Sequence, residues 1–257
     1  QYMPRFAGDE TPATATGQVL SIAERIDTLM GIFAVGQIPS GDKDPFALRR
    51  AALGLLRTII EHKLVLNIPE VLTVSASLFP QEVNADQACQ PVYQFMLGRL
   101  KGYFAEQGIS TGVFDSVIAL TPEEPYDLAC RIDAVNQFKQ LEAAESLAAA
   151  NKRISNILKK LKGAMPTEIN SDLFIEEAEK QLAEQLNQVS AKIKPLLAQS
   201  KYTEALTELA ALRDVVDQFF DDVMVMADDE ALKNNRIALL GQLQGQFMQV
   251  ADLSLLQ

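Results

Sequence analysis

From Val19 to Val250 the apolar residues of this chain recur at spacings of three and four, with no sustained alternation and no Asn-Gly or Asp-Gly hairpin turn. A period near 3.6 gives each segment one apolar stripe, whereas a half-buried strand needs a period of two. The spacing therefore predicts an all-α chain. Val19, Leu20, Ile22, Ile26, Leu29, Met30 and Phe33 mark a first amphipathic helix. A polar Gly/Pro/Ser loop follows from Gly36 to Lys43, and Asp44-Pro45 reads as an N-cap with proline at the first helical position. Leu48, Ala52, Leu55, Leu56, Ile59 and Ile60 form the stripe of that second helix, ending near Lys63.

Further along, Pro69 opens a short helix that Pro80 closes. Pro91 sits near the start of a helix that Gly108 ends as its C′ residue. Ser110, Thr111 and Gly112 look like a hinge into a second unit, so the chain divides into 1–112 and 113–257. Helices are expected over Val113–Leu120, Tyr126 to about Lys139, Glu142–Leu161, Asp172–Gln199 with a disturbance at Pro195, Ser200–Val223 and Asp228–Val250. The architecture is a helical domain followed by an antiparallel bundle of five or so helices, and the second half is expected to fold alone.

Composition limits the function classes. No apolar run approaches the ~20 residues that span a bilayer, and no basic n-region with an apolar h-region is visible. Cys89 and Cys130 read as buried free thiols of a reducing, cytoplasmic compartment. His62 is the only histidine, no Ser/His/Asp or Cys/His nucleophile set is credible around it, and two cysteines and one histidine do not make an ordinary structural zinc site without carboxylate help. His62 itself is open to reading as a base or ligand, or as a helix-end cation. The pairs Glu123/Glu124, Glu176/Glu177, Asp221/Asp222 and Asp228/Asp229 fit helix starts and solvated faces, with Asp228 and Asp229 just ahead of Glu230-Ala-Leu. The loop GQIPSG lacks the closing Gly-Lys-Ser/Thr of a P-loop.

A net charge of −11 argues against a general nucleic-acid binder, and no DNA partner is expected. The distribution of charge is more telling. Residues 1–112 carry 9 basic and 11 acidic side chains, residues 113–257 carry 14 and 23. Inside that acidic second half, Asn151–Lys162 holds Lys152, Arg153, Lys159, Lys160 and Lys162 and no acid. On a helix, Lys152, Lys159 and Lys160 share a broad face near Asn156, with Ile154, Ile157, Leu158 and Leu161 directed inward. Such a face attracts phosphate, and Asn and Arg can read base edges in unpaired RNA. A solvated basic stripe is the plain alternative.

Several long strings, in fixed order, resemble one family. DTLMGIFAVGQIPSGDKDPFALRRAALGLLR at Asp27–Arg57 is similar to a signature of the β subunit of bacterial glycyl-tRNA synthetase. PRFAGDE at Pro4–Glu10, NKRISNIL at Asn151–Leu158, FFDDVMVMADDEALKNNRIALL at Phe219–Leu240 and the closing VADLSLLQ at Val250–Gln257 resemble the same family. The chain thus reads as a C-terminal fragment of such a subunit. The resemblance implies an HD-like helical domain over 1–112, without the His and Asp ligands that a metal phosphohydrolase needs. It implies a DALR-type anticodon-binding bundle over 113–257, as in arginyl- and cysteinyl-tRNA synthetases. The implied partners are the anticodon region of tRNA(Gly) and the synthetase α subunit in a heterotetramer. ATP and Mg²⁺ would be bound by the α subunit, leaving no cofactor and no catalytic residue here. Carried onto this sequence, the tRNA-binding candidates are Asn151, Lys152, Arg153, Asn156, Lys159 and Lys160. Arg131 and Lys139 of the preceding helix follow more loosely, as do Asn234, Asn235 and Arg236, the last two of which can instead pin the final helix. The alternative function is a helical scaffold that binds protein and no RNA.

Overall fold

The computed structural model describes residues 8–161 and 164–256. The first part of the PRFAGDE string, Lys162 of the basic island and the terminal Gln257 lie outside the described residues. Among those described there are eleven α-helices, four short 3-10 turns and no strand beyond one isolated bridge between Ser40 and Lys43. The all-α expectation holds. None of these helices is long and apolar enough to cross a membrane.

Two compact units emerge, one comprising 1–111 with 122–129 and the other 112–121 with 130–257. In the first, α1 (Ala15–Ala34) packs on α2 (Leu48–Glu61) and α3 (Ile68–Ala76), and α4 (Cys89–Glu106) packs on all three. Leu29, Met30, Leu55, Leu56, Ile59, Leu72, Met96 and Leu100 are its buried core. Each contributes roughly 1.5–3 kcal/mol by leaving water. Helix α4 closes as its sequence suggests: Gly108 takes a φ of 82°, and the Ile109 and Gly108 N–H groups donate to the Phe104 and Ala105 carbonyls.

Helix α2 begins later than the Asp44-Pro45 pair suggests. Asp44 to Ala47 form a turn, with Ala47 in the left-handed region at φ 54°, and the helix starts at Leu48. Asp44 still caps it, from outside: its two carboxylate oxygens accept the N–H groups of Leu48 (2.8 Å) and Arg49 (3.0 Å). His62 sits at the opposite end, where its Nε2 lies 2.9 Å from the Thr11 hydroxyl. That hydroxyl donates to Glu61 (2.9 Å), so the imidazole must donate to it. The His62 backbone N–H closes the helix end, and the ring ties the Thr11 segment to it.

The second unit contains α5 (Thr111–Ile118), the later part of α6 (Pro125–Phe138), α7 (Ala144–Lys159), α8 (Glu177–Leu197), α9 (Tyr202–Ala210), α10 (Arg213–Asp222) and α11 (Glu230–Met248). Thr111 and Gly112, expected as a hinge, are the first residues of α5. Helix α8 starts five residues after Asp172, beyond a 3-10 turn at Ser171–Leu173, and runs through Pro195 to Leu197. The single helix expected over Ser200–Val223 is two, separated at Ala211–Leu212, whose N–H groups turn back to the Glu208 and Leu209 carbonyls. The break lets α9 lie on α8 and α11 while α10 lies on α8 and α7. Cys89 and Cys130, expected to be buried, are reduced thiols at half-buried positions.

Helix α11 is the centre of this unit. Asn235 to Leu240 are six consecutive buried residues, more than a full turn, so the helix is covered on every side there. It packs against α7, α8 and α9. The chain end folds back: a 3-10 turn at Leu253–Leu255 packs on α7, and the Asp252 N–H donates to the Ser116 carbonyl of α5 (2.8 Å). Gly112 makes room for this tail, because a Cβ there would stand 3.0 Å from the Leu255 carbonyl oxygen. Gly112→Ala should cost about 1–3 kcal/mol in urea unfolding. The exposed helical Gly98, where a Cβ meets nothing, is the control. Gly98→Ala should raise stability by about 0.5–1 kcal/mol.

Candidate nucleic-acid interface

Helix α7 carries the basic island, and its packing sorts the island's residues. Ala144, Leu147, Ala148, Ile154 and Ser155 are buried, which turns Lys152, Arg153, Asn156, Lys159 and Lys160 outward to solvent. Lys159 and Lys160 stand at the helix C-terminus, where a cation also relieves the unpaired carbonyls. The Arg153 guanidinium lies over the Phe220 ring, 4.3 Å from its centroid, so a planar cation is held against a fixed surface. Ile157, Leu158 and Leu161, expected to face inward with Ile154, are only half-buried.

A surface cleft of about 500 Å³ opens along this face. Ala149, Ile157, Leu161 and Met226 give it apolar walls, and Lys152, Arg153, Asn156 and Lys160 supply its polar groups. Met226 comes from the non-helical segment after α10, where Val223 and Val225 are buried while Met224 and Met226 are exposed.

Three of the candidates have no surface to offer. Asn151 is 2% exposed, and its amide donates to the Leu147 carbonyl (2.9 Å). Asn235 is 3% exposed and clamps the backbone of Asn170, accepting its N–H (2.7 Å) and donating to its carbonyl (3.1 Å). Arg236 is 6% exposed, with Nε 2.9 Å from Glu179 Oε1 and an Nη 2.9 Å from the Met224 carbonyl. All three side chains are buried and bonded within the fold, so none is presented at the surface of this structure. Asn234 is exposed on α11, outside the cleft lining. Arg131 donates to the Gln249 (2.6 Å) and Val250 carbonyls and to the Tyr202 hydroxyl (2.9 Å), over whose ring it lies. It ties down the chain end. Lys139 is exposed just beyond α6, and neither it nor Arg131 lines the cleft.

Met226 is the residue that sequence reasoning missed. Its signal was present as the run Val223-Met224-Val225-Met226, a brief alternation between two helices that places every second side chain outward. A separate apolar cleft of about 530 Å³ lies in the first unit between α1, α3 and the Leu64–Leu66 segment. Its polar lining is Asp27 and Ser75, so it offers no chemistry for phosphate. Among the described residues no group of three or more His, Cys, Asp or Glu could hold a metal ion.

Comparison with known proteins gives two family matches. Residues 1–119 match the glycyl-tRNA synthetase beta subunit family, and residues 147–253 match the DALR anticodon binding domain. The glycine–tRNA ligase beta subunits of Shewanella amazonensis (strain ATCC BAA-1098 / SB2B) and Shewanella baltica (strain OS155 / ATCC BAA-1091) are 51% and 50% identical over all 257 residues. The chain spans 37% of the length of these curated relatives. The basic face of α7 and Met226 fall inside the DALR match, whereas Arg131 and Lys139 fall between the two matched stretches.

The buried Glu179–Arg236 pair also lies within the DALR match, and it is the most exposed to test. Burial pushes the Glu179 carboxyl towards neutrality. The Arg236 hydrogen bond, the N–H groups of Glu176 and Ile175 and the Arg236 charge outweigh that, and hold its pKa below the usual glutamate range. A depressed folded-state pKa contributes stability that is complete above the unfolded value, about 4.3, and is lost as pH falls below it. Arg236→Met leaves a buried carboxylate without its cation and should cost about 3–5 kcal/mol in denaturant unfolding at pH 7. Glu179→Gln should flatten the acid limb of the stability curve below pH ~4.3.

Proposed function

We propose that this chain is the tRNA-binding, anticodon-recognising part of a glycine–tRNA ligase β subunit, because residues 1–119 match the glycyl-tRNA synthetase beta subunit family and residues 147–253 match the DALR anticodon binding domain. The observation that carries this reading is the exposed basic face of α7 inside an acidic unit, lying within the DALR match. Lys152, Arg153, Lys159 and Lys160 are its phosphate-attracting groups and Asn156 its edge-reading group. Glycylation of tRNA(Gly) would belong to the whole enzyme, in the cytoplasm and with an α subunit as partner in a heterotetramer. ATP and Mg²⁺ would be held by that subunit. On this reading the part of this chain is to bind and orient the RNA.

Electrostatics sets the form of the test. The acidic second unit repels RNA at long range, so attraction must come from the local patch and must be screened by salt. Lys152→Ala with Arg153→Ala should weaken tRNA binding by the full chain. The same double variant should flatten the salt dependence by about 0.7–0.9 log units for each phosphate that is no longer neutralised. Both side chains are exposed, so thermal unfolding should change little. Asn156→Ala should leave the salt slope intact and reduce discrimination between tRNAs with the glycine anticodon and with altered anticodons. Binding isotherms at several salt concentrations decide the matter. Unchanged affinity and slope in the double variant would remove the interface from α7.

A further inference from the structure

We infer that the α7–Met226 cleft receives one unpaired nucleobase of the bound RNA, with Met226 as the wall against its face and Asn156 as the group at its edge. This rests on the RNA-binding reading above and adds to it a specific pocket. The residues that line the cleft recur at three and four from Ala149 to Ile157, about 12 Å along one face of α7, and continue into Lys160 and Leu161 just past the helix end. Along that face apolar and polar side chains are interleaved. Ala149, Ile157 and Leu161 give carbon surface, while Lys152, Asn156 and Lys160 rise between them. A phosphate alone would need a polar floor, and a purely apolar ligand would have no use for three cations. A nucleotide needs both: an apolar slot for the planar base, and cations beside it for the backbone.

Met226 is what makes this a slot. It is 56% exposed, and a soft, polarisable thioether makes favourable contact with an aromatic ring. Its position is built in from behind. Buried Val223 and Val225 anchor the non-helical segment, and Arg236 donates to the Met224 carbonyl from the buried ion pair with Glu179. Arg153, which also lines the cleft, is fixed over Phe220 and sets a flat cation beside the opening. The amide of Asn156 carries both a donor and an acceptor, the combination that distinguishes one base edge from another.

The test uses the full chain and a stem-loop RNA with the glycine anticodon loop, together with the same RNA carrying a single abasic nucleotide at each loop position in turn. One abasic position should weaken binding by about fivefold or more. Met226→Ala should weaken binding of the intact RNA by about two- to tenfold and leave the salt slope unchanged. It should have no further effect on the RNA that is abasic at that position. Met226→Leu, which keeps the volume, should retain most of the affinity, and matching circular dichroism melts would show that the fold is intact. If Lys152→Ala with Arg153→Ala flattens the salt slope but Met226→Ala weakens all the RNAs equally or none of them, the base slot is overturned and the RNA-binding face stands. If the wild-type chain shows no salt-dependent binding of the stem-loop, both readings fall.

Discussion

The second unit depends on one buried ion pair. The Glu179 carboxylate, 1% exposed, accepts from Arg236 and from the backbone N–H groups of Ile175 and Glu176 at the entrance to α8. Arg236 in turn stands on the fully covered Asn235–Leu240 stretch of α11 and holds the Met224 carbonyl. Two charges taken out of water are tolerated only when nearly every donor and acceptor is matched, and here they are. The pair thereby ties three segments that are distant in sequence to one point. Next to it on α11, Asn235 grips the loop at Asn170 by a two-way amide clamp. These adjacent polar residues turn the otherwise apolar buried stretch of α11 into the reference against which the loops are set.

Everything at the surface of α7 inherits its position from that core. The helix is pressed between α10, α11 and the chain-terminal turn, so its basic side can face only outward. The acidic surroundings give such a patch a second property. On the proposed reading, long-range attraction of RNA to the whole unit would be weak or repulsive, and binding would be decided at short range, where geometry and base identity count. A uniformly basic surface would hold any polyanion; a small cationic rim around an apolar slot discriminates among them.

Much of this was legible in the sequence. The 3.6-residue period, the Asp229 cap ahead of Glu230, the Gly108 terminus and the acid-free run from Asn151 are local signals, and each became the element it announced. Helix starts at Asp44 and Asp172 were placed too early, because a capping side chain can reach several residues ahead and a 3-10 turn can precede a helix. The break between α9 and α10 has no Gly or Pro to mark it; it arises because the two halves meet different neighbours.

By itself, then, the sequence determined the helical class, the stripes that form the core and the charge of the α7 face, since these depend on spacing and residue type within a few turns. Only the tertiary structure decided which polar residues were available to a partner. Asn151 and Asn156 lie on one helix five residues apart and look alike in sequence, yet one is sealed against the bundle and the other opens onto a cleft. Arg236 and Arg153 carry the same charge, yet one meets a buried carboxylate and the other an aromatic ring at the surface. Met226 became part of the site only when the segment after α10 was laid beside α7, more than 60 residues away in the chain. Burial is a property of what packs on a residue, and that depends on neighbours from distant segments that no local pattern contains.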